Sequence, residues 1–197
     1  MSDRNLTITT EDRLAAGGDA LARAEDGRVM FVRGAAPSER VRVQVTNNNK
    51  KFMRATADEV LKPSPDRIKP CCRHFGRCGG CSLQYLEAEA QARFLFDAAQ
   101  ENLRRLGLAV EGTEVEAPFV APAYGERQRV RFTVSRRGEL SFHQRNTNRL
   151  VAIDECPVLA PARQAVLPKL KKLVARRPPP RPGEISLLTD GDKIQGF

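Results

Sequence analysis

The sequence has neither a long hydrophobic run nor a recognisable secretion signal. Its 197 residues contain no stretch of about 18 consecutive apolar residues, the length that a transmembrane helix needs. The N-terminal segment lacks the basic start, apolar middle and small-residue cleavage site of a signal peptide. We therefore expect a cytoplasmic protein. Hydrophobic residues make up 41% of the chain, which is enough to bury a core.

The five cysteines do not indicate a disulfide framework. An odd number cannot pair completely, and disulfides are rare in the reducing cytosol. Three of them, Cys72, Cys78 and Cys81, lie within ten residues of one another, and this clustering favours a metal or catalytic site.

Positive charge dominates the chain, with a net charge of +9 and a pI near 9.8. Counting charged residues gives +5 for residues 126–150 and +5 for residues 151–182, whereas residues 86–125 carry −4. Such clustering is expected where one face of a protein meets the phosphates of a nucleic acid. We therefore expect a polyanionic partner, although an electron carrier with a low-potential cluster is an alternative class.

Residues 1–62 predict a small OB-like barrel, because several short strands alternate with turn signals. The strict alternation of Val41 to Val45 fits a half-buried strand. A polar tip follows and contains Lys50 and Lys51, which suit either a plain hairpin turn or a loop that touches a nucleic-acid backbone.

Residues 63–85 form a proline-bracketed linker and the cysteine loop, and residues 86–117 contain a helix. Apolar residues recur at helical spacing from Leu86 to Leu106, and Gly107 stands where a C-terminal cap glycine belongs. Residues 118–197 are then expected to form an incomplete β-rich central domain.

Within that last region, Arg127 to Val134 predicts a strand whose period-two alternation places Arg127, Arg129 and Arg131 on one basic face. We expect further strands over residues 140–143, 150–153 and 185–188. A helix is predicted over residues 161–175, with an interruption at Pro168.

The cysteine loop has the spacing C-x5-C-x2-C, and Gly79 and Gly80 allow a tight turn between its last two thiols. Three ligands need a fourth, for which Cys156, a cysteine at a predicted strand end, is the candidate. Two interpretations remain open, a structural zinc ion and a [4Fe-4S] cluster, and three ligands in one loop with a remote fourth are more typical of the cluster. A third interpretation is that these are ordinary buried cysteines without a metal. We expect no role for Cys71, and we expect the His74 side chain to be packed or exposed to solvent.

The motif Cys72-Arg-His-Phe-Gly-Arg-Cys78-Gly-Gly-Cys81-Ser-Leu-Gln84 resembles the signature loop of the iron-sulfur RNA (uracil-5-)methyltransferases. The segment from Tyr124 to Phe132 is similar to that family's basic strand, and the segment from Ile153 to Leu159 to its fourth-ligand motif. Residues 1–60 resemble its N-terminal TRAM domain, an OB-like RNA-binding barrel.

The resemblance implies a [4Fe-4S] cluster held by Cys72, Cys78, Cys81 and Cys156 in a small α+β central domain that grips folded rRNA or tRNA. It also implies that Arg131 and Gln84 lie toward the RNA, with Arg131 contacting the substrate. The expected fold is therefore mainly β with α, a TRAM barrel followed by this iron-sulfur domain.

The family's Rossmann-like domain binds S-adenosylmethionine and supplies a nucleophilic cysteine and a carboxylate base. Neither its glycine-rich loop nor its nucleophile motif occurs in these 197 residues. We therefore expect an N-terminal portion, a monomer that binds RNA without methylating it. The alternative is a standalone zinc- or cluster-stabilised RNA-binding module.

Overall fold

The computed structural model describes residues 5–108, 115–190 and 193–196. Contacts divide the chain into two compact units, the first formed by Met1–Lys69 with Tyr85–Val120 and the second by Pro70–Gln84 with Ala121–Phe197. Across the described ranges, each unit contains one five-stranded sheet and one helix, so the chain is mainly β with some α structure. The cysteine loop belongs to the second unit, whereas the helix that follows it belongs to the first.

The first sheet has the strand order β1-β4-β5-β3-β2. Its strands are β1 (Asn5–Thr9), β2 (Ala20–Arg23), β3 (Val29–Arg33), β4 (Arg40–Asn48) and β5 (Phe52–Lys62). Neighbours are antiparallel except for the parallel pair β3 and β5, and register shifts between β4 and β5 mark irregularities that bend these strands and curl the sheet. Because β1 and β2 are its edges in the described residues, the predicted barrel is an open half-barrel.

The alternation predicted for β4 is confirmed, since Val41 and Val43 are fully buried and Arg42 is exposed. The polar tip is a hairpin turn between β4 and β5, in which the Asn49 side chain accepts the backbone N–H groups of Lys51 and Phe52 at 2.9 and 3.0 Å. The short strand β2 was not predicted, because its four residues carry no clear alternation signal.

A buried carboxylate, Glu39, joins several segments of the first unit through hydrogen bonds and an ion pair with Arg67. Glu39 is fully buried and accepts hydrogen bonds from the backbone N–H groups of Ala36 and Ser64 and from the Arg67 guanidinium. The same guanidinium stacks 4.7 Å from the ring centre of Tyr85, which in turn donates its hydroxyl to a backbone carbonyl. Burial acts to raise the pKa of Glu39, but these hydrogen bonds and the Arg67 charge hold it below its ordinary value.

The predicted first helix is confirmed as α1 (Ala88–Arg105). It ends in a Schellman motif, in which Gly107 has a φ of +71° and donates its N–H to Arg104, while Leu108 donates to Leu103. Its buried face consists of Ala90, Phe94 and Ala98 at intervals of four residues, and the leucines expected on that face are largely exposed.

The second sheet is antiparallel throughout and has the order β10-β9-β6-β7-β8. Its strands are β6 (Val130–Val134), β7 (Leu140–His143), β8 (Leu150–Ala152), β9 (Gly183–Asp190) and β10 (Lys193–Gly196). Helix α2 (Pro161–Arg176) contributes Leu167 and Val174 to the apolar core of this unit, together with Val130 and Phe132 of β6. Cys156 is part of that core.

Two sequence predictions fail in the second unit. Strand β6 begins at Val130 rather than Arg127, for a reason given below. Helix α2 continues through Pro168 without an assigned interruption, although proline removes one helical hydrogen bond. Burial of Leu167 before the proline and Val174 after it offsets that loss, because both residues pack into the same core.

No helix in the described parts of the chain is both long and apolar enough to cross a bilayer.

Candidate metal centre and nucleic-acid interface

The cysteine loop is a series of backbone turns with no helix or strand of its own. The carbonyl of His74 accepts hydrogen bonds from the N–H groups of Arg77 and Cys78. Gly76, within this turn, has a φ of +84°. These turns wind the chain tightly enough to bring Cys72 and Cys78 to one cavity although five residues separate them. The loop geometry therefore depends on small residues and on contacts with the rest of the second unit.

One such contact fixes the loop on the end of β7. The N–H of Gly79 donates to the carbonyl of His143 at 2.9 Å. A Cβ atom on Gly79 would lie 2.8 Å from that carbonyl oxygen and 2.8 Å from the backbone nitrogen of Arg145. Glycine is required here because the two backbones approach too closely for any side chain.

Cys156 reaches the same cavity from the segment between β8 and α2. It is 8% exposed, and its N–H donates to the side chain of Gln164 at 3.2 Å. The following residues pair with the segment before β6, since the N–H of Arg127 donates to Val158 and the N–H of Ala160 donates to Arg127. The fourth predicted ligand is thus held by α2 on one side and by residue 127 on the other.

All four predicted ligands line one cavity. Its wall also contains other side chains of the second unit: His74, Phe75, Gln84, Arg127, Phe142, Ile153 and Glu155. Cys71 is exposed and is not among the residues that line this cavity. In the ranges that the structure describes, no three Cys, His, Asp or Glu side chains converge closely enough to hold a single metal ion.

The surroundings of Cys78 and Cys156 favour the neutral thiol at these two residues. Burial raises the pKa of Cys156 to about 11, and the nearby charge of Arg127 acts against that rise. Burial also raises the pKa of Cys78, against which the N–H of Gly80 and the charge of Arg127 act. Forming thiolates in this cavity therefore requires a strongly electrophilic centre or additional positive charge.

A second buried group next to the thiols is His74. Its Nε2 lies 2.6 Å from Oδ1 of Asp154, a carboxylate that Arg73 also binds. Its Nδ1 is buried without a hydrogen-bond partner among the described residues. Burial, followed by the charges of Arg73 and Arg77, lowers the pKa of His74, so the ring is neutral at pH 7. The sequence predicted neither the pairing of His74 with Asp154 nor the position of His74 in the same cavity wall as Cys156.

The residues predicted to contact RNA are divided between the two units. Arg131 lies on β6 with its side chain 59% exposed, and its guanidinium is 3.6 Å from Glu184 of β9. Arg129 is exposed just before β6 begins. Lys50 and Lys51 are exposed in the β4–β5 turn of the first unit.

Arg127 corrects the predicted basic strand. Its backbone pairs with Val158 and Ala160, so residue 127 leaves the β6 ladder and its side chain does not share a face with Arg131. Its guanidinium instead donates to the carbonyl of Gly80 at 3.1 Å. The alternation rule failed here because a non-local backbone partner replaced the neighbouring strand.

Gln84 is also placed differently from the expectation that it lies toward RNA. It is 6% exposed and lines the cavity of the four cysteines, and its buried Oε1 has no hydrogen-bond partner in the part of the chain that the structure describes. A buried, unpaired amide oxygen is rare in folded proteins, which marks this cavity as a polar site within an apolar core.

The chain is similar to one domain family and to several known RNA methyltransferases. Residues 3–57 match the TRAM domain family. A 23S rRNA (uracil(1939)-C(5))-methyltransferase of Halomonas elongata is 39% identical over 182 residues, which are 90% of this chain and 38% of that relative. An uncharacterized RNA methyltransferase of Caulobacter vibrioides is 39% identical over 177 residues, 86% of this chain and 39% of the relative.

The fold also resembles a solved structure. The tRNA (uracil-54, C5)-methyltransferase of Pyrococcus abyssi, in complex with S-adenosyl-L-homocysteine, superposes with a TM-score of 0.61 at 21% identity. The match covers 96% of this chain and 44% of that one. The chain thus spans about two fifths of the length of the curated relatives it matches. On this sequence similarity, the chain belongs to the RNA (uracil-5-)methyltransferase family.

Proposed function

We propose that this chain is the RNA-gripping part of a 23S rRNA (uracil-5-)methyltransferase, with four cysteines that hold a [4Fe-4S] cluster. The observation that carries the proposal is the meeting of four thiols from two separate segments in one cavity, within a chain whose relatives are rRNA methyltransferases. Ribosomal RNA is favoured over transfer RNA because the rRNA enzyme is 39% identical, whereas the tRNA enzyme is 21% identical. The cytoplasm follows as the site of action.

A cluster fits the donor set better than a single zinc ion. Four thiolates suit both centres, but a zinc ion needs all four to meet at one point about 2.3 Å from each sulfur. Three ligands on one loop with a remote fourth are more typical of a cluster than of zinc, which is usually held by two close pairs. An iron-sulfur cube is several atoms wide and accepts one thiolate at each corner, so it tolerates ligands that surround a larger space. When bound, such a cluster supplies a rigid cross-link and an electron-accepting centre.

The residues that surround the cavity have the roles that such a centre needs. Cys72, Cys78 and Cys81 provide three ligands on one loop, and Cys156 provides the fourth from the apolar core. Phe142 and Ile153 exclude water from the inner wall, which protects the centre from hydrolysis. We propose a mainly structural role, in which the cluster fastens the cysteine loop to the second sheet.

RNA binding is assigned to exposed cations on both units. Lys50 and Lys51 project from the turn between β4 and β5, within the segment that matches the TRAM family. Arg129 and Arg131 are exposed on the second unit. Each cation that replaces a counterion on a phosphate increases affinity at low salt. Transfer of the methyl group from S-adenosylmethionine is proposed to need residues beyond these 197, so this chain alone binds RNA without methylating it.

The first half of the experiment measures the metal centre in protein purified without oxygen. We expect a brown protein with about four iron atoms and four sulfides per chain. Cys156→Ser should lose iron and visible absorbance, and Cys71→Ser is the matched control that should retain both. One zinc per colourless chain would support the alternative, a zinc-stabilised module, and would contradict the cluster.

The second half measures binding to a 23S rRNA fragment and to tRNA at several salt concentrations. Arg131→Ala should weaken binding and reduce the slope of log affinity against log salt by about one unit, the effect of losing one phosphate contact. Arg105→Ala removes the same charge from α1, where Arg105 already pairs with Glu101, and should leave the slope unchanged. Equal slopes for both variants would remove Arg131 from the interface.

A further inference from the structure

Arg127 joins the two segments that carry the proposed ligands. Its backbone N–H donates to Val158 at 2.8 Å, two residues after Cys156, and its carbonyl accepts the N–H of Ala160 at 3.1 Å. Its guanidinium donates to the carbonyl of Gly80, the residue before Cys81. The side chain is therefore fixed at both ends, at its backbone by one ligand segment and at its tip by the other.

Among the described residues, no carboxylate forms an ion pair with this guanidinium. In the ranges that the structure describes, Arg127 has no ion pair, whereas Arg73 on the cysteine loop is neutralised by Asp154 and Glu155. The residue is half-buried and lines the cavity of the four thiols, and among the described residues of that wall it is the one permanent cation. A partly desolvated, unpaired cation is costly unless an anion lies next to it.

A cluster ligated by four thiolates is such an anion. Its net negative charge is greatest after reduction, and nearby positive charge and hydrogen bonds are what set the potential of such centres. The carbonyl of Gly80 and the Arg127 guanidinium already lie at 3.1 Å, beside the loop that carries Cys78 and Cys81.

We propose that Arg127 is a positioning residue that offsets the negative charge of the cluster, raises its reduction potential and ties the two ligand segments together. This inference rests on the proposed cluster and replaces the earlier assignment of Arg127 to RNA binding. It predicts an electrochemical effect of a residue that neither ligates metal nor contacts RNA.

The test uses the full chain, purified or reconstituted without oxygen, with three variants. Arg127→Gln removes the charge, Arg127→Lys keeps the charge but loses the forked donor geometry, and Arg129→Gln removes a charge two residues away on the exposed surface. The midpoint potential is measured by spectroscopic titration with a reductant, alongside iron and sulfide per chain and affinity for the 23S rRNA fragment.

We expect Arg127→Gln to shift the reduction equilibrium about tenfold against the reduced form, which is ~59 mV more negative for a one-electron couple. Arg127→Lys should shift it less, and Arg129→Gln should not shift it. Affinity for RNA should be the same in Arg127→Gln and wild type.

The outcomes separate this inference from the one it rests on. A wild-type chain without iron and sulfide would overturn both. A wild-type cluster whose potential is unchanged in both Arg127 variants would overturn the role of Arg127 and leave the cluster intact. Should Arg127→Gln fail to load iron, a fourth variant, Arg127→Met, also removes the charge, and a potential equal to that of Arg129→Gln in this variant refutes the inference.

Discussion

Substitution of Gly79 by alanine tests whether the cysteine loop is held on β7 by a close approach of two backbones. The added Cβ would lie 2.8 Å from the carbonyl oxygen of His143 and from the nitrogen of Arg145. Both atoms belong to the backbone, so neither can rotate away. The adjacent Gly80 offers a matched control, because its Cβ would meet the Cys78 sulfur at 3.4 Å and Arg127 at 3.6 Å, which are ordinary contacts.

The expected cost follows from that difference. Forcing one extra methyl into a site without room costs about 1–3 kcal/mol, whereas alanine in place of glycine at a permissive site gains about 0.4–1 kcal/mol by restricting the unfolded chain. We therefore expect Gly79→Ala to weaken the docking of the loop by ~2 kcal/mol and Gly80→Ala to change it by less than about 1 kcal/mol. The N–H of residue 79 should then lose its bond to His143.

Hydrogen exchange at residue 79 measures this docking directly, because its amide is protected by the bond to His143. A loss of ~2 kcal/mol corresponds to exchange that is roughly thirtyfold faster in Gly79→Ala. Iron content of the same samples should fall in Gly79→Ala and remain in Gly80→Ala. Equal protection in the two variants would refute the reasoning, since it would mean that the loop does not depend on this approach.

Two further substitutions test the packing of each unit. Glu39→Gln should destabilise the first unit by about 3 kcal/mol, because it leaves a partly buried guanidinium without its anion, whereas Glu59→Gln, exposed on β5, should cost less than about 1 kcal/mol. The pKa of Glu39 is lowered in the folded state, so its contribution to the free energy of unfolding is complete above its ordinary pKa of 4.5 and is lost as the pH falls through the folded pKa. The free energies of chemical unfolding of the wild type and of Glu39→Gln should therefore converge in acid. In the second unit, Gly138→Ala should lower the free energy of unfolding by about 3 kcal/mol, because φ is +70° and the Cβ would lie 2.5 Å from the Val174 carbonyl oxygen. Gly125→Ala, where φ is +79° but the Cβ would meet open space, should lower it by only ~1 kcal/mol, and thermal unfolding measures both variants.

Local sequence patterns predicted the regular elements well and the site contacts poorly. Alternation located β4, and helical spacing with a terminal glycine located α1, because both signals arise within one element. The start of β6 was wrong because residue 127 bonds to a segment about thirty residues later, which no local period records. Gln84 was assigned to RNA from a resemblance, whereas its burial depends on how the loop folds back.

The cysteines show both what local sequence patterns can predict and what they cannot. Their spacing predicted a set of ligands, but spacing carries no information about what holds an irregular loop in place. Three of the contacts that do so lie in different parts of the second unit: Gly79 to His143, His74 to Asp154, and Arg127 to Gly80. None of the three involves a sulfur atom, so the loop reaches the Cys156 segment through backbone and charged groups. Preorganisation of this kind lowers the entropy cost of assembling a four-ligand centre from distant parts of the chain, because the loop is closed before the metal arrives. Substitutions at Gly79 or Arg127 should therefore weaken the proposed centre, although neither residue supplies a sulfur ligand.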